Sequence, residues 1–351
     1  MRVLDHVFFL RPLLLAPAAA MFVMGHHAAA REELSAAGAD ARADLAPALL
    51  AFGALAFALL ATHAANQLAD EESDRVNGKL PHLALGLVSR GAAKQMVAAC
   101  LAVACALIAL SPATQWLLLA ASAALGLAYA SPPLVLKRRA GWDLAANAIG
   151  YGGLAFAVGW GSAAPVAFLG VILAAAPWML AVASVFAATT VVDAPGDAAA
   201  GARTLAVALG TRRTRQLAIA LMAGAAGVAW MIGARTAFFL AAGSIPALVV
   251  AAVRPTPRTD HLAFQIAAAL PTLVAAIRAP LFGAALVACA VTARLYFRAR
   301  FGRDYPHVGE PARRDATRAA ARLAQRGDPV VEGDQSLGRR TTLADSPGSS
   351  R

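Results

Sequence analysis

Charge, cysteine and aromatic side chains are all scarce in this chain. Charged residues make up 15% of it and aromatic ones 7%, against 59% apolar residues and a mean hydropathy of +0.61. Soluble domains carry roughly 25% charged residues, so the bilayer is the solvent that suits this composition. The 3 cysteines, Cys100, Cys105 and Cys289, all lie inside apolar runs. There a thiol behaves as a small hydrophobe, so neither a disulfide framework nor a Cys-ligated metal site is implied. No short repeat of the solenoid kind is present. The formal net charge is +11, yet the arginines and lysines are spread over alternate loops and the C-terminal tail. The positive-inside rule accounts for that pattern, and no nucleic-acid partner is expected.

What the sequence has in abundance is long apolar runs. A spanning helix needs about 20 apolar residues, and runs of that kind lie near residues 7–24, 46–66, 91–110, 114–130 and 144–161. Others cover 166–191, 214–233, 236–253, 261–277 and 280–298, the last two complicated by Pro271 and Arg278. The expected fold is therefore all-α, a polytopic integral membrane bundle of nine or ten transmembrane helices. Asp5, His6 and the Arg11-Pro12 pair interrupt the first run early, which favours an uncleaved first span over a signal peptide. Residues 1–298 form the expected membrane domain, and 299–351 a polar, basic, disordered tail.

Topology follows from the loops. Arg75 and Lys79 follow the second run, Lys137, Arg138 and Arg139 the fourth, and Arg203, Arg212, Arg213 and Arg215 the sixth. These loops should face the cytoplasm, placing the protein in the plasma or inner membrane with residues 31–44 as an outer loop.

Two acidic constellations then fall on the cytoplasmic side. Asn66, Asp70 and Asp74 are spaced i, i+4, i+8 at the end of the second run. On a helix they share one face, about 6 Å apart per step. Asp193 and Asp197 repeat the spacing at the end of the sixth run, if the helix survives Pro195 and Gly196. A solvated span end explains any single aspartate. Two spaced motifs on one side favour a site. Carboxylates converging in a cleft require cations, and Mg²⁺ is the expected one, because it takes few protein carboxylates and completes its shell with water and phosphate. Arg75, Lys79, Lys137, Arg138 and Arg203 are the candidate diphosphate partners.

At these residues the chain resembles the UbiA superfamily of membrane prenyltransferases. The family's Asn-x3-Asp-x3-Asp pattern matches Asn66, Asp70 and Asp74, and its Asp-x3-Asp pattern matches Asp193 and Asp197. Arg11-Pro12, the run from Tyr129 to Lys137, and Gly201 to Thr204 ahead of Gly210 are also similar. The chain departs from the family at Gln67, where many members carry Asp, and at Ala198 and Ala202, where many carry Arg or Lys. The resemblance covers about residues 8–298. It implies a helical bundle with a central cavity open to the bilayer and the aspartates over its cytoplasmic mouth.

By that resemblance the five motif residues hold Mg²⁺, with Asp70, Asp74, Asp193 and Asp197 catalytic. An isoprenyl diphosphate donor ionises to an allylic cation, which a lipophilic or aromatic acceptor captures. Tyr129, Tyr151 and Phe156, with Trp160, Trp178 and Phe186, are candidates for the pocket that shields the cation. His63 is either a base or a hydrogen-bonded structural histidine. Two other readings remain at this point. One is a UbiA-type terpene cyclase acting on the diphosphate alone, and the other is a transporter that uses the aspartates for ion coupling.

Overall fold

The computed structural model describes residues 2–37, 45–76, 81–302 and Tyr305, and among them every regular element is helical. In chain order these are α1 (Arg2–Phe9), α2 (Leu15–Ala37), α3 (Leu45–Val76), α4 (Pro81–Ala84), α5 (Arg90–Leu110) and α6 (Ala113–Ala130). Then come α7 (Trp142–Asn147), α8 (Ala155–Gly161), α9 (Phe168–Ala199), α10 (Leu205–Leu209) and α11 (Thr211–Met231). The chain closes with α12 (Arg235–Val253), α13 (Pro257–Arg278) and α14 (Pro280–Phe301).

Among the described residues, 8 helices are long and apolar enough to cross a membrane. They are Val3–Arg31, Leu45–Glu71, Arg90–Leu110, Ala113–Ala130, Phe168–Ala199, Arg235–Val253, Pro257–Arg278 and Pro280–Phe301. The other two runs expected to span, 144–161 and 214–233, are helical as well, each with a distinguishing feature. The rod 142–161 is interrupted by a π-helical stretch, Ala148–Leu154, and α11 opens on Arg212, Arg213 and Arg215. The last two runs are separate helices. Pro271 sits inside α13, and the break comes at Ala279, ahead of Pro280.

The first run differs from the expectation for a local reason. Arg11 adopts the left-handed region (φ 55°) and Pro12 opens a 3-10 turn, so the chain bends sharply between α1 and α2. Beyond the bend, α2 continues to Ala37, well into the segment expected as an outer loop. Residues 38–44 lie outside the described residues, as does the expected tail beyond Gly302 apart from Tyr305.

Packing relies on small side chains. The largest cluster gathers alanines of α2, α3, α8, α9, α12 and α13 around Met21, Met24, Leu55, Leu119, Phe156 and Trp178. Because lipid is as apolar as leucine, close van der Waals fit holds such helices together. The α2–α8 crossing takes this furthest. A Cβ on Gly25 would collide with the carbonyl oxygen of Phe156, and one on Gly159 with that of Phe22. Each glycine thus lets the partner backbone approach. α9 sits centrally, packing on α11, α13 and the π stretch, while α13 also touches α2, α12 and α14.

Gly159→Leu should force α8 off α2 and cost about 3 kcal/mol, within the range for overpacking. A fall of several degrees in the thermal unfolding midpoint in detergent is the expected result, and an unchanged midpoint would contradict the crossing.

Candidate active site

The uninterrupted α3 carries His63, Asn66, Gln67 and Asp70 on its last turns. One turn separates Asn66 from Asp70, and one cation joins them. Lys137 Nζ donates to Asn66 Oδ1 at 2.6 Å and sits 2.6 Å from Asp70 Oδ1, with Asn66 O at 3.4 Å. Lys137 is 8% exposed. It projects from a 3-10 turn, Leu136–Arg138, entered through Val135 in the left-handed region. The neighbouring Arg138 reaches the carbonyl of Ala69 at 3.4 Å. The basic run after α6 therefore lands on the first motif.

The second motif lies on α9, which passes through Pro195 and Gly196 without ending and stops at Ala199. Asp193 and Asp197 therefore share a face. Thr189, one turn earlier, extends that face into a cavity below. After α9 the chain turns at Gly201 (φ 68°), and Thr204 donates to Asp197 Oδ2 at 3.0 Å.

One residue without any signal in the sequence joins the two basic loops. Asp143 is fully buried. Its Oδ1 accepts from the amides of Gly141 at 2.9 Å and Leu144 at 2.8 Å, at the start of α7. Its Oδ2 accepts from the amide of Leu205 at 2.8 Å, at the start of α10. Burial raises its carboxyl above the ordinary aspartate range, and these amides oppose the shift. Beside it, Arg139 and Arg203 form an isolated parallel backbone bridge. The loop bearing Lys137 and Arg138 is thus tied to the loop bearing Arg203.

Beneath the motifs lies an apolar cavity of about 260 Å³, walled in part by Tyr151, Trp178, Phe186, Met222 and Asn147. Tyr151 links it to α3, its hydroxyl lying 3.1 Å from Nε2 of His63. His63 thus has a hydrogen-bond partner in the cavity wall. Tyr129 and Phe156 do not line this cavity. Tyr129 stands beside Asn147, and Phe156 is 1% exposed behind the wall, 6.5 Å from the Trp178 ring. Trp160, also buried, packs on Phe156.

Asp74 and Arg75 continue α3, but nothing is described of their side chains, and Lys79 lies outside the described residues. Arg11 was legible only as part of the Arg-Pro pair. Its buried Nε has no hydrogen-bond partner among the described residues. The guanidinium stands near enough to His63 and Tyr151 to act on them electrostatically.

Among the described residues, no three His, Cys, Asp or Glu side chains cluster as a ready metal site. The ammonium of Lys137 nevertheless marks a place where two oxygens of one helix face converge on a cation. Such a pair suits a hard ion that needs few protein ligands.

A UbiA prenyltransferase family model matches residues 23–267. No curated protein matches the sequence. Among solved structures, the chain is similar to a UbiA homolog from Archaeoglobus fulgidus bound to GPP and Mg²⁺, with a TM-score of 0.60 and 20% identity over 78% of this chain and 99% of that one. The homolog bound to DMAPP and Mg²⁺ gives 0.60 and 20% over 78% and 98%. A digeranylgeranylglyceryl phosphate synthase gives 0.55 and 16% over 78% and 98%. At these identities the likeness is one of fold.

Asp143→Ala would remove the acceptor of the buried Leu205 amide and of the part-buried amides of Gly141 and Leu144. Loss of even one or two such bonds should lower the unfolding free energy by about 2 kcal/mol or more. Thermal unfolding in detergent checks this, and a wild-type midpoint would remove Asp143 from its bridging role.

Proposed function

This chain belongs to the UbiA prenyltransferase family, and from that premise we propose that it transfers an isoprenyl group from an isoprenyl diphosphate to a lipophilic or aromatic acceptor within the bilayer. The observation that carries the reading is the convergence of Asn66 and Asp70 on the Lys137 ammonium. It lies at the same end as Asp193 and Asp197 and over a cavity with aromatic walls.

Asn66, Asp70, Asp74, Asp193 and Asp197 would hold Mg²⁺. When bound, Mg²⁺ supplies Lewis-acid stabilisation of the departing diphosphate. The protein's own groups do the rest. Lys137, Arg138 and Arg203, with Arg75 and Lys79, donate to diphosphate oxygens and hold the leaving group at the mouth. The prenyl chain lies in the cavity, where Tyr151, Trp178 and Phe186 exclude water and turn π faces toward positive charge. The carbon–oxygen bond breaks with its electron pair going to the diphosphate. The acceptor's electron pair then closes on the allylic carbon, and the acceptor releases a proton.

The site faces the cytoplasm on this reading, because the loops around it carry the excess of Arg and Lys. The transporter reading places coupling groups near the bilayer midplane. Here the motif aspartates sit at helix ends, which favours the enzyme.

The test is incubation of membranes containing the protein with radiolabelled geranyl, farnesyl and geranylgeranyl diphosphates, host lipid extract, and either Mg²⁺ or EDTA. Mg²⁺-dependent label joined to an acceptor is expected. A labelled hydrocarbon lacking an acceptor would instead mark a cyclase. Asp70→Asn and Asp193→Asn should each reduce turnover by at least about 100-fold, as loss of a transition-state electrostatic group does, while leaving the protein inserted. Full activity in either variant would sink the metal assignment.

A further inference from the structure

Two helices outside the segment matched by the family model, residues 23–267, meet: α1 and α14. Asp5 of α1 and Arg300 of α14 form a two-pronged pair, Nε to Oδ1 and Nη2 to Oδ2, each at 3.1 Å. The Tyr296 hydroxyl donates to Asp5 Oδ1 at 2.5 Å and lies 3.1 Å from Nε2 of His82, in the segment that follows the first motif. All four side chains are buried: Asp5 1%, His82 0%, Tyr296 3% and Arg300 4% exposed. Phe8 stacks on Tyr296 with centroids 4.5 Å apart.

α1 thus buries a carboxylate together with Phe8 and Phe9. Its carboxylate faces protein, while Val3, Leu4 and Val7 are exposed at 76%, 38% and 43%. Such a helix is tolerated where its buried charge has a partner and its apolar side meets lipid. α14 supplies the partner.

The contact reaches the first motif through Gln67. Its side-chain amide donates to the carbonyl of Phe9, the last residue of α1. Carbonyls at a helix C-terminus lack partners within the helix and need a donor from elsewhere. An ionised carboxylate at this position would turn an acceptor toward an acceptor. An amide satisfies it. Gln67 is 3% exposed, and Asn66 leaves the helix about 100° away around its axis. Pinning Gln67 therefore sets the rotation that aims Asn66 and Asp70 at Lys137.

We propose that α1 and α14 form a clasp that fixes the rotation of α3 through Gln67, which is a positioning residue for the diphosphate site and not a ligand. The proposal rests on reading that site as one for Mg²⁺ and a prenyl diphosphate.

The test compares wild type, Gln67→Leu, Asp5→Asn and the double variant of the full chain in nanodiscs. Two readouts are used: hydrogen exchange across residues 62–76, and Mn²⁺ binding by electron paramagnetic resonance with geranyl diphosphate present. Both single variants should speed exchange there and weaken Mn²⁺ about tenfold, the scale of an outer-sphere positioning loss. The double variant should be no weaker than the weaker single one. Where Asp5→Asn lowers yield, Tyr296→Phe replaces it and should shift both readouts in the same direction. Unchanged exchange overturns the clasp, as does faster exchange with wild-type Mn²⁺ affinity. Wild type that binds no Mn²⁺ with the diphosphate would sink the functional reading instead, while exchange still decides the clasp.

Discussion

A buried ammonium cannot stand alone at the end of a helical bundle, because removing it from water costs several kcal/mol that only paired oxygens return. Lys137 meets that demand with Asn66 and Asp70, both at 2.6 Å. Much of the site follows from this pairing. It needs α3 to stay helical past the apolar run, so that the two oxygens stack. It also needs the loop after α6 to fold back onto α3. That loop has its own supports in the hydrogen bonds of Asp143 and the Arg139–Arg203 bridge. Asp143 ties the same arrangement to the second motif, since its other oxygen holds Leu205, next to the Thr204 that bonds Asp197.

The cavity beneath depends on a different constraint. With no hydrophobic drive between helices in lipid, the bundle closes by the fit of small residues. The paired glycines of α2 and α8 and the alanine-rich core let backbones approach. The few large rings are left to define the space. Trp178 and Tyr151 face it, and Phe156 braces Trp178 from behind. The polar mouth and the apolar chamber are joined by two helix faces: Thr189 to Asp197 on α9, and His63 to Asp70 on α3, with the His63–Tyr151 bond between them.

Charge also organises the periphery. Arg215 and Asp260 join α11 to α13 through two bonds of 2.8 Å, and Asp5 and Arg300 join α1 to α14. Both pairs connect segments distant in sequence. In a bundle held mainly by shape, such pairs specify which helix neighbours which.

The sequence by itself determined the solvent and the helical class, because apolar run length is set by bilayer thickness. It also determined the two motifs, because i, i+4 spacing carries the same meaning on any helix. Asn66 with Asp70, and Asp193 with Asp197, were legible for that reason. Only the tertiary structure decided the rest. Pro195 is accommodated because α9 continues to Ala199, and the bend at Arg11 depends on α1 having somewhere to dock. Asp143 carries no signal in the sequence, and Gln67 stands there only as a departure from a pattern. Their partners, Leu205 and Phe9, lie 62 and 58 residues away. Which aromatic faces the cavity was likewise not readable from periodicity. In lipid both faces of a helix are apolar, so the pattern that separates inside from outside in a soluble protein is missing.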